Sequence, residues 1–315
     1  MRTIFLAAGC FWGAESFFQQ LPGICQTEVG YINGKTEQTN YNAIKETDHA
    51  ECVKISYDPN RIKLAEILDR FYCVIDPLSV NQQGADQGRQ YRTGIYFETE
   101  DDLSERIARE SLALLDESLG QISAIELEAV KNYVPAEEYH QNYLTKNPDG
   151  YCHINPKKAL SVVLYPPQAD EDELKQIKEK LDEYAYKVTQ EQGTEAPHSH
   201  EYNKVVEPGI YVDIVGGQPL FSSDDKFDAG CGWPSFTMPI TTDIIRYRED
   251  FRFMLQRTEV SALASNSHLG HVFEDGPSAK GGLRFCINGL SLRFVPLTKM
   301  RELGYARLLP YVEQR

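Results

Sequence analysis

Over the first half of the chain, short apolar runs of strand character alternate with stretches of helical spacing. Thr3 to Ala8 is a strand-type run that meets Gly9 and Cys10. Ala14 to Leu21 has helical spacing and is stopped by Pro22-Gly23. His49 to Tyr57 alternates as a strand and ends at Asp58-Pro59-Asn60. Leu64 to Val74 spaces its apolar residues as a helix, Gly94 to Glu98 reads as a strand, and Asp101 to Glu117 reads as a charged helix. This alternation predicts an α/β or α+β domain.

Pro166-Pro167-Gln168-Ala169-Asp170 breaks the pattern, and Glu171 to Tyr186 follows as a charged helix. Beyond Gly193 the texture changes. Short strand runs (Gly209 to Val215, Phe251 to Leu255, Leu290 to Val295) sit between glycine-rich turns, which predicts a mainly β domain. The expectation is an α+β two-domain chain with a boundary near 166–172. Residues 1–168 form an α/β sandwich with a mixed sheet. Residues 169–315 begin with the helix near 171–186 and continue as small barrel-like sheets.

A chain of 315 residues is long enough for two such domains. Its net charge of −15 and the absence of a basic patch disfavour nucleic-acid binding. No apolar run is long enough for a membrane helix. MRTIFLAAGC ends like a lipoprotein cleavage site, but its apolar stretch is too short for a signal peptide, so a cytoplasmic location is expected.

Seven cysteines, an odd number with no CxxC, argue against a fully paired scaffold, a zinc ribbon and a thioredoxin-like site. Catalytic thiols plus small buried hydrophobes fit better. Both tryptophans of the chain follow a cysteine by two positions, in GCFWG and GCGWPSF. A thiol beside an aromatic wall suits a soft sulfur-containing group. A buried Cys–Trp pair alone is usually core, but two such islands suggest two active sites. Cys10 lies where a strand meets a helix, and a helix N-terminus stabilises a thiolate.

GCFWG, TNYNAIKETDHAE, DPLSVNQQGADQGRQYRTGIY and AEEYHQNYLTKNPDGYCHIN together resemble the A-type peptide methionine sulfoxide reductases over nearly the whole first domain. The resemblance implies Cys10 as nucleophile, with Phe11 and Trp12 as the pocket for the substrate methyl. Glu51 is the acid facing the sulfoxide oxygen. Tyr41 and Tyr91 are hydrogen-bond donors, Asp86 shapes the thiolate environment, and Cys152 is the resolving cysteine. The stretch from Tyr41 to Glu51 is slightly shorter than the family pattern.

GTEAP, LFSSDDKFDAGCGWPSF, NSHLGHVFEDGP and GGLRFCINGLSLRF resemble the B-type enzymes. Here the implied nucleophile is Cys286, with Cys231 as its resolver and Trp233 as the methyl wall. The resemblance makes His268 and His271 the candidate acid and hydrogen-bonding partners of the sulfoxide oxygen. Strand alternation puts Arg284, Cys286 and Asn288 on one face, where Arg284 can lower the thiol pKa and Asn288 can orient its neighbours. The bland alternative is a zinc site of His268, His271, Cys231 and Cys286, which lacks the paired spacing of a structural site. Many B-type enzymes hold zinc with two CxxC pairs. Here those places hold Asp213, Gly216, Ala262 and Ser265, so no metal is expected. His198 and the run Ser261-Ala262-Leu263 also depart from the family pattern. Cys25, Cys52 and Cys73 match no redox role and are expected to be core or half-buried.

The resemblance implies reduction of methionine sulfoxide, free or in peptides and oxidised proteins. The first domain would take the S epimer and the second the R epimer. No cofactor is implied, and thioredoxin is the implied reductant and partner. Two other classes compete: a thiol hydrolase or peroxidase, and a non-enzymatic metal- or partner-binding module.

Overall fold

The computed structural model describes residues 1–152, 154, 170–251 and 257–312. Residues 166–169 of the boundary expected at 166–172 and most of the strand expected at 251–255 lie outside the described residues. The chain divides into two compact units, Met1–Leu164 and Tyr165–Arg315.

The first unit is built on a mixed six-stranded sheet. Its strands are β1 (Arg2–Ala8), β2 (Ile24–Ile32), β3 (Ala50–Tyr57), β4 (Thr93–Phe97), β5 (Glu126–Ala129) and β6 (Tyr133–Pro135). Their order is β5-β4-β1-β3-β2-β6, and only the β4–β5 pair is parallel. Period-two alternation sorts β1 between two faces. Ile4, Leu6 and Ala8 join a core with Phe11, Phe17, Leu68 and Phe71 of helices α1 (Phe11–Phe18) and α2 (Leu64–Tyr72). Phe5 and Ala7 pack on the opposite face with Cys52 and Tyr96. Helix α3 (Asp102–Leu119) starts where the Asp101 side chain accepts the Ser104 N–H, and Gly120 ends it in the left-handed region.

Helix α1 begins three residues earlier than its apolar spacing predicts, because Cys10 itself occupies the N-cap. Cys52 is buried and Cys73 half-buried, as expected, but Cys25 is exposed. The β2–β3 register skips from Ile24 to Gln26, and this bulge turns Cys25 out of the sheet.

In the second unit the single helix expected at 171–186 is two. Helix α4 (Glu171–Lys180) ends at Leu181, which is extended. Asp182 then caps α5 (Glu183–Gln190) by accepting the N–H groups of Tyr184 and Ala185. Lys178 Nζ donates to Ser265 O at 3.1 Å, and Ala185 and Val188 are buried.

The rest of the unit is two antiparallel sheets. The smaller joins β7 (Gly209–Asp213), β8 (Pro219–Ser222) and β15 (Leu292–Pro296) in the order β8-β7-β15. The larger has six strands: β9 (Lys226–Phe227), β10 (Ser235–Phe236), β11 (Ile245–Asp250), β12 (Arg257–Ala262), β13 (His268–Phe273) and β14 (Arg284–Ile287). Their order is β9-β10-β14-β13-β12-β11. Strand β15 begins two residues later than its apolar run, because Gly289–Ser291 forms a 3-10 turn.

Candidate active sites

In the first unit, Gly9 takes a positive φ of 80° and turns β1 into α1, leaving Cys10 at the helix N-terminus. Glu51, the second residue of β3, is 2% exposed, and its Oε2 accepts the Phe11 N–H at 3.1 Å. The carboxyl therefore sits at the first free amide of the helix that Cys10 caps. Burial pushes its pKa up to about 8, helped by the nearby Asp86 and opposed by the Phe11 N–H. A carboxyl so placed is mainly neutral at pH 7 and can give up a proton.

The same environment corrects the expectation of a lowered Cys10 pKa. Burial, then the charges of Glu51 and Asp86, push the thiol up to about 12. The Trp12 and Gly13 amides of the helix N-terminus pull the other way and are outweighed. Asp86 thus raises the thiol rather than easing its ionisation.

Tyr41 and Tyr91 belong to this group. Burial raises both phenols, and Glu51, Cys10 and Asp86 act on each. Asp86 accepts the Tyr151 hydroxyl at 3.0 Å, tying the segment before Cys152 to the site. A Cβ on Gly13 would stand 3.0 Å from Cys152 Sγ, so that sulfur rests on the first turn of the helix that Cys10 caps. Burial raises Cys152 as well.

Phe11 is buried, and Trp12 stacks on Tyr143 with ring centroids 3.8 Å apart. The Trp12 Nε1–H donates to His140 Nδ1 at 3.1 Å. Tyr31, opposite Glu51 in the β2–β3 register, donates its hydroxyl to Glu137 Oε2 at 2.7 Å. Glu137 Oε1 accepts the Tyr41 N–H at 3.1 Å. Tyr31, Glu137, His140 and Tyr143 went unassigned in the sequence. Each acts through a partner roughly a hundred or more residues away; the presence of Glu137, His140 and Tyr143 in AEEYHQNY was the one hint, and Tyr31 had none.

In the second unit, Cys286 stands in β14 between His271 of β13 and Ser235 of β10. Cys231 Sγ is 3.7 Å from Cys286 Sγ and 3.4 Å from Ser235 Oγ. A cavity of about 120 Å³ opens onto Cys286, lined among others by Trp233, Gly270, His271, Phe273 and Asn288. Gly270 is required by close approach, since a Cβ there would lie 2.1 Å from the Cys286 carbonyl oxygen.

Burial and the neighbouring Cys231 push the Cys286 thiol up to about 12. Arg284 pulls it down, as expected, but does not prevail. It also pairs with Asp275 at 2.8 Å and packs over the Phe273 ring. Burial also raises Cys231, yet the Ser235 hydroxyl, the Trp233 backbone, Cys286 and Arg284 together bring it below the ordinary thiol value.

Both histidines are backed by buried carboxylates that sequence reading missed. His271 Nε2 is 2.8 Å from Asp250 Oδ2, and His268 Nδ1 is 2.9 Å from Glu259 Oε1. Burial holds His271 below its usual pKa, so at pH 7 it is mainly neutral. His271 lines the cavity; His268 packs behind it, with ring centroids 5.7 Å apart.

Among the described residues, no three His, Cys, Asp or Glu side chains are arranged to hold a metal. The places of the paired zinc cysteines do not fit zinc either. Asp213 is fully buried and its Oδ2 accepts the Gly216 N–H at 2.6 Å, while Ser265 Oγ bonds Ser267 Oγ at 2.8 Å. One carboxylate, one hydroxyl, a glycine and an alanine supply no thiolate or imidazole.

The model of the family described as peptide methionine sulfoxide reductase matches residues 2–189, and that of the SelR domain matches residues 181–296. Among solved structures, the chain is similar to Mxr1 from Saccharomyces cerevisiae in reduced form. Identity is 37%, coverage 49% of this chain and 91% of that one, and the TM-score 0.45. It is similar to methionine sulfoxide reductase A of Corynebacterium diphtheriae at 33% identity, covering 48% and 77%, with a TM-score of 0.44. A structure of Mxr1 from Saccharomyces cerevisiae in complex with Trx2 matches at 27% identity, covering 45% and 84%, with a TM-score of 0.32.

Proposed function

The chain belongs to the peptide methionine sulfoxide reductase family and joins an A-type to a B-type domain, and from that premise we propose how each of its two sites reduces methionine sulfoxide and which epimer each takes. The first site takes the S epimer and the second the R epimer. The observation that carries the reading is the pairing of thiols in the second site, where Cys286 faces a tryptophan-walled cavity with a second sulfur 3.7 Å away.

In the first site Cys10 attacks the sulfoxide sulfur while Glu51 protonates the oxygen. Phe11 and Trp12 hold the methyl group, and Tyr41 and Tyr91 hydrogen-bond the oxygen as its charge grows. The step balances: thiol plus sulfoxide gives sulfenic acid plus thioether, the proton from Glu51 ends on the sulfenic oxygen, and the thiol proton restores the Glu51 carboxyl. Cys152 then attacks the Cys10 sulfur, water leaves, and a disulfide remains.

In the second site Cys286 attacks, Trp233 walls the methyl group, and Cys231 resolves. His271 hydrogen-bonds the oxygen, with His268 behind it. The disulfides are reopened by exchange with a dithiol, for which thioredoxin is the proposed partner; a complex of the similar Mxr1 with Trx2 supports this choice.

Each purified sulfoxide epimer, supplied with dithiothreitol and then with thioredoxin, tests the proposal. Cys10→Ser should abolish reduction of the S epimer alone, and Cys286→Ser that of the R epimer alone. Loss of both activities in either variant, or turnover of hydroperoxide independent of sulfoxide, would overturn it.

A further inference from the structure

Glu195 lies in the GTEAP segment ahead of the second unit's sheets and is 2% exposed. It makes four hydrogen bonds to both sides of the second site. Its backbone N–H donates to Asn288 Oδ1 at 3.0 Å, and its carbonyl accepts the Trp233 Nε1–H at 3.1 Å. Its carboxylate accepts the N–H of Gly289 at 2.7 Å through Oε1 and that of Leu290 at 2.9 Å through Oε2. Trp233 and Asn288 both line the cavity over Cys286, and Gly289 and Leu290 open the turn that follows the Cys286 strand.

These bonds fix more than one degree of freedom. Trp233 has a single ring donor, so its bond to the Glu195 carbonyl sets the rotation of the indole plane. Asn288 donates from Nδ2 to the Leu269 carbonyl at 2.9 Å while its Oδ1 takes the Glu195 N–H, which fixes its amide orientation. The carboxylate holds the first two amides after Asn288, and bonds to a charged acceptor are the strong ones. The backbone of one residue thus spans from the tryptophan wall to the end of the nucleophile's strand, and its side chain locks that strand end in place.

We infer that Glu195 is a positioning residue of the second site: it sets the spacing between Trp233 and Asn288, and so the fit of the substrate's methyl group against Cys286. The inference rests on the reading that this site reduces the R epimer. Glu195 touches no reacting atom and acts through the groups it holds.

The test uses the full chain with Glu195→Ala and Glu195→Gln, and N-acetyl methionine sulfoxide epimers as substrates. Misplacing groups around a reacting centre by an ångström costs up to about a hundredfold. Glu195→Ala should therefore lose about tenfold to a hundredfold in kcat/KM for the R epimer, mostly in kcat, with S-epimer reduction within about twofold of the parent. Glu195→Gln keeps one acceptor and the side-chain volume, and its loss should be smaller. Trp233 emission, read in a Trp12→Phe background where it is the only indole, should shift to the red in Glu195→Ala.

A purely structural role would lower the unfolding temperature and leave the kinetics of folded protein and the emission unchanged, and that result overturns the inference. If Glu195→Ala does not fold, Glu195→Gln decides, and parent-like kinetics and emission there overturn it equally. If the parent itself does not reduce the R epimer, the functional reading fails, while the emission shift still tests the clamp.

Discussion

Cys231 and Cys286 hold their sulfurs 3.7 Å apart, and the two thiols are driven in opposite directions. Cys286 is raised to about 12 by burial and by Cys231, while Cys231 lies below the ordinary thiol value. Ser235, the Trp233 backbone and Arg284 favour the Cys231 thiolate, although Cys286 faces the cavity. A disulfide needs the sulfurs at about 2.05 Å, a small movement from here. Iodoacetamide at neutral pH is expected to label Cys231 before Cys286. Cys231→Ser removes the negative neighbour that helps hold Cys286 up, so the first turnover should be kept or accelerated while thioredoxin-driven cycling falls sharply. If Cys231→Ser loses the first turnover as completely as Cys286→Ser does, nucleophile and resolver are exchanged.

Glu51 is expected to give the first site its pH dependence. Its acid form, with a pKa of about 8, is the form proposed to protonate the sulfoxide oxygen. S-epimer reduction should fall as pH rises through about 8, and Glu51→Gln should remove that limb while lowering turnover by about two to four powers of ten. Stability follows the same sign. The folded state holds this proton more tightly than the unfolded chain, so the contribution is full below the ordinary carboxyl range and is lost as pH rises to about 8. Glu51→Gln should therefore gain stability relative to the parent at alkaline pH. Single-turnover rates and thermal unfolding across pH measure both effects, and an unchanged rate at pH 7 would remove Glu51 from the mechanism.

Local chemistry was what the sequence displayed. The strand–Cys10–helix junction, the helix after Asp101 and both cysteine–tryptophan islands could be read from spacing and turn residues. Carboxylates outside the family motifs could not. Asp250 and Glu259 look like ordinary charges on alternating strands until the sheet sets them against His271 and His268. Electrostatic sign was hidden for the same reason. The helix N-terminus beside Cys10 is legible, but burial and the Glu51 charge, which outweigh it, exist only after folding.

Gly13 tests the approach of Cys152 to Cys10. Alanine at this helical position gains up to about 1 kcal/mol in propensity, so a pure stability argument favours it. Its Cβ would, however, press on Cys152 Sγ at 3.0 Å, while Ile154 Cδ1 at 3.5 Å would be in ordinary contact. Gly13→Ala should shift the Cys152 sulfur slightly, and Gly13→Val considerably more. The expected outcome is slower formation of the Cys10–Cys152 disulfide in Gly13→Val, with product release in the first turnover close to normal. Rapid-quench counting of free thiols separates the two steps. An unchanged disulfide rate in Gly13→Val would mean that Cys152 approaches by another route.

The buried Asp213 network makes a metal-free prediction. Burial raises the Asp213 carboxyl, while the Gly216 amide and the Ser265 and Ser267 hydroxyls favour its charged form without fully offsetting burial. These bonds occupy the place where the related zinc enzymes carry thiolates, and the hydroxyls here cannot replace them as ligands. Elemental analysis of purified protein should find no stoichiometric zinc, and a chelator should leave the unfolding temperature unchanged. Removing the carboxyl strands buried donors, at a cost of about 1–3 kcal/mol, so Asp213→Ala should lower the second unit's unfolding temperature by several degrees. Asp213→Asn keeps an acceptor for the Gly216 N–H and carries no charge. Because the folded pKa is raised, the parent loses stability as pH climbs above the ordinary carboxyl value and Asp213→Asn does not. The asparagine variant should therefore compare better with the parent at pH 8 than at pH 4. One zinc per chain, lost together with stability on chelation or on mutating His268 or His271, would favour the alternative metal site instead.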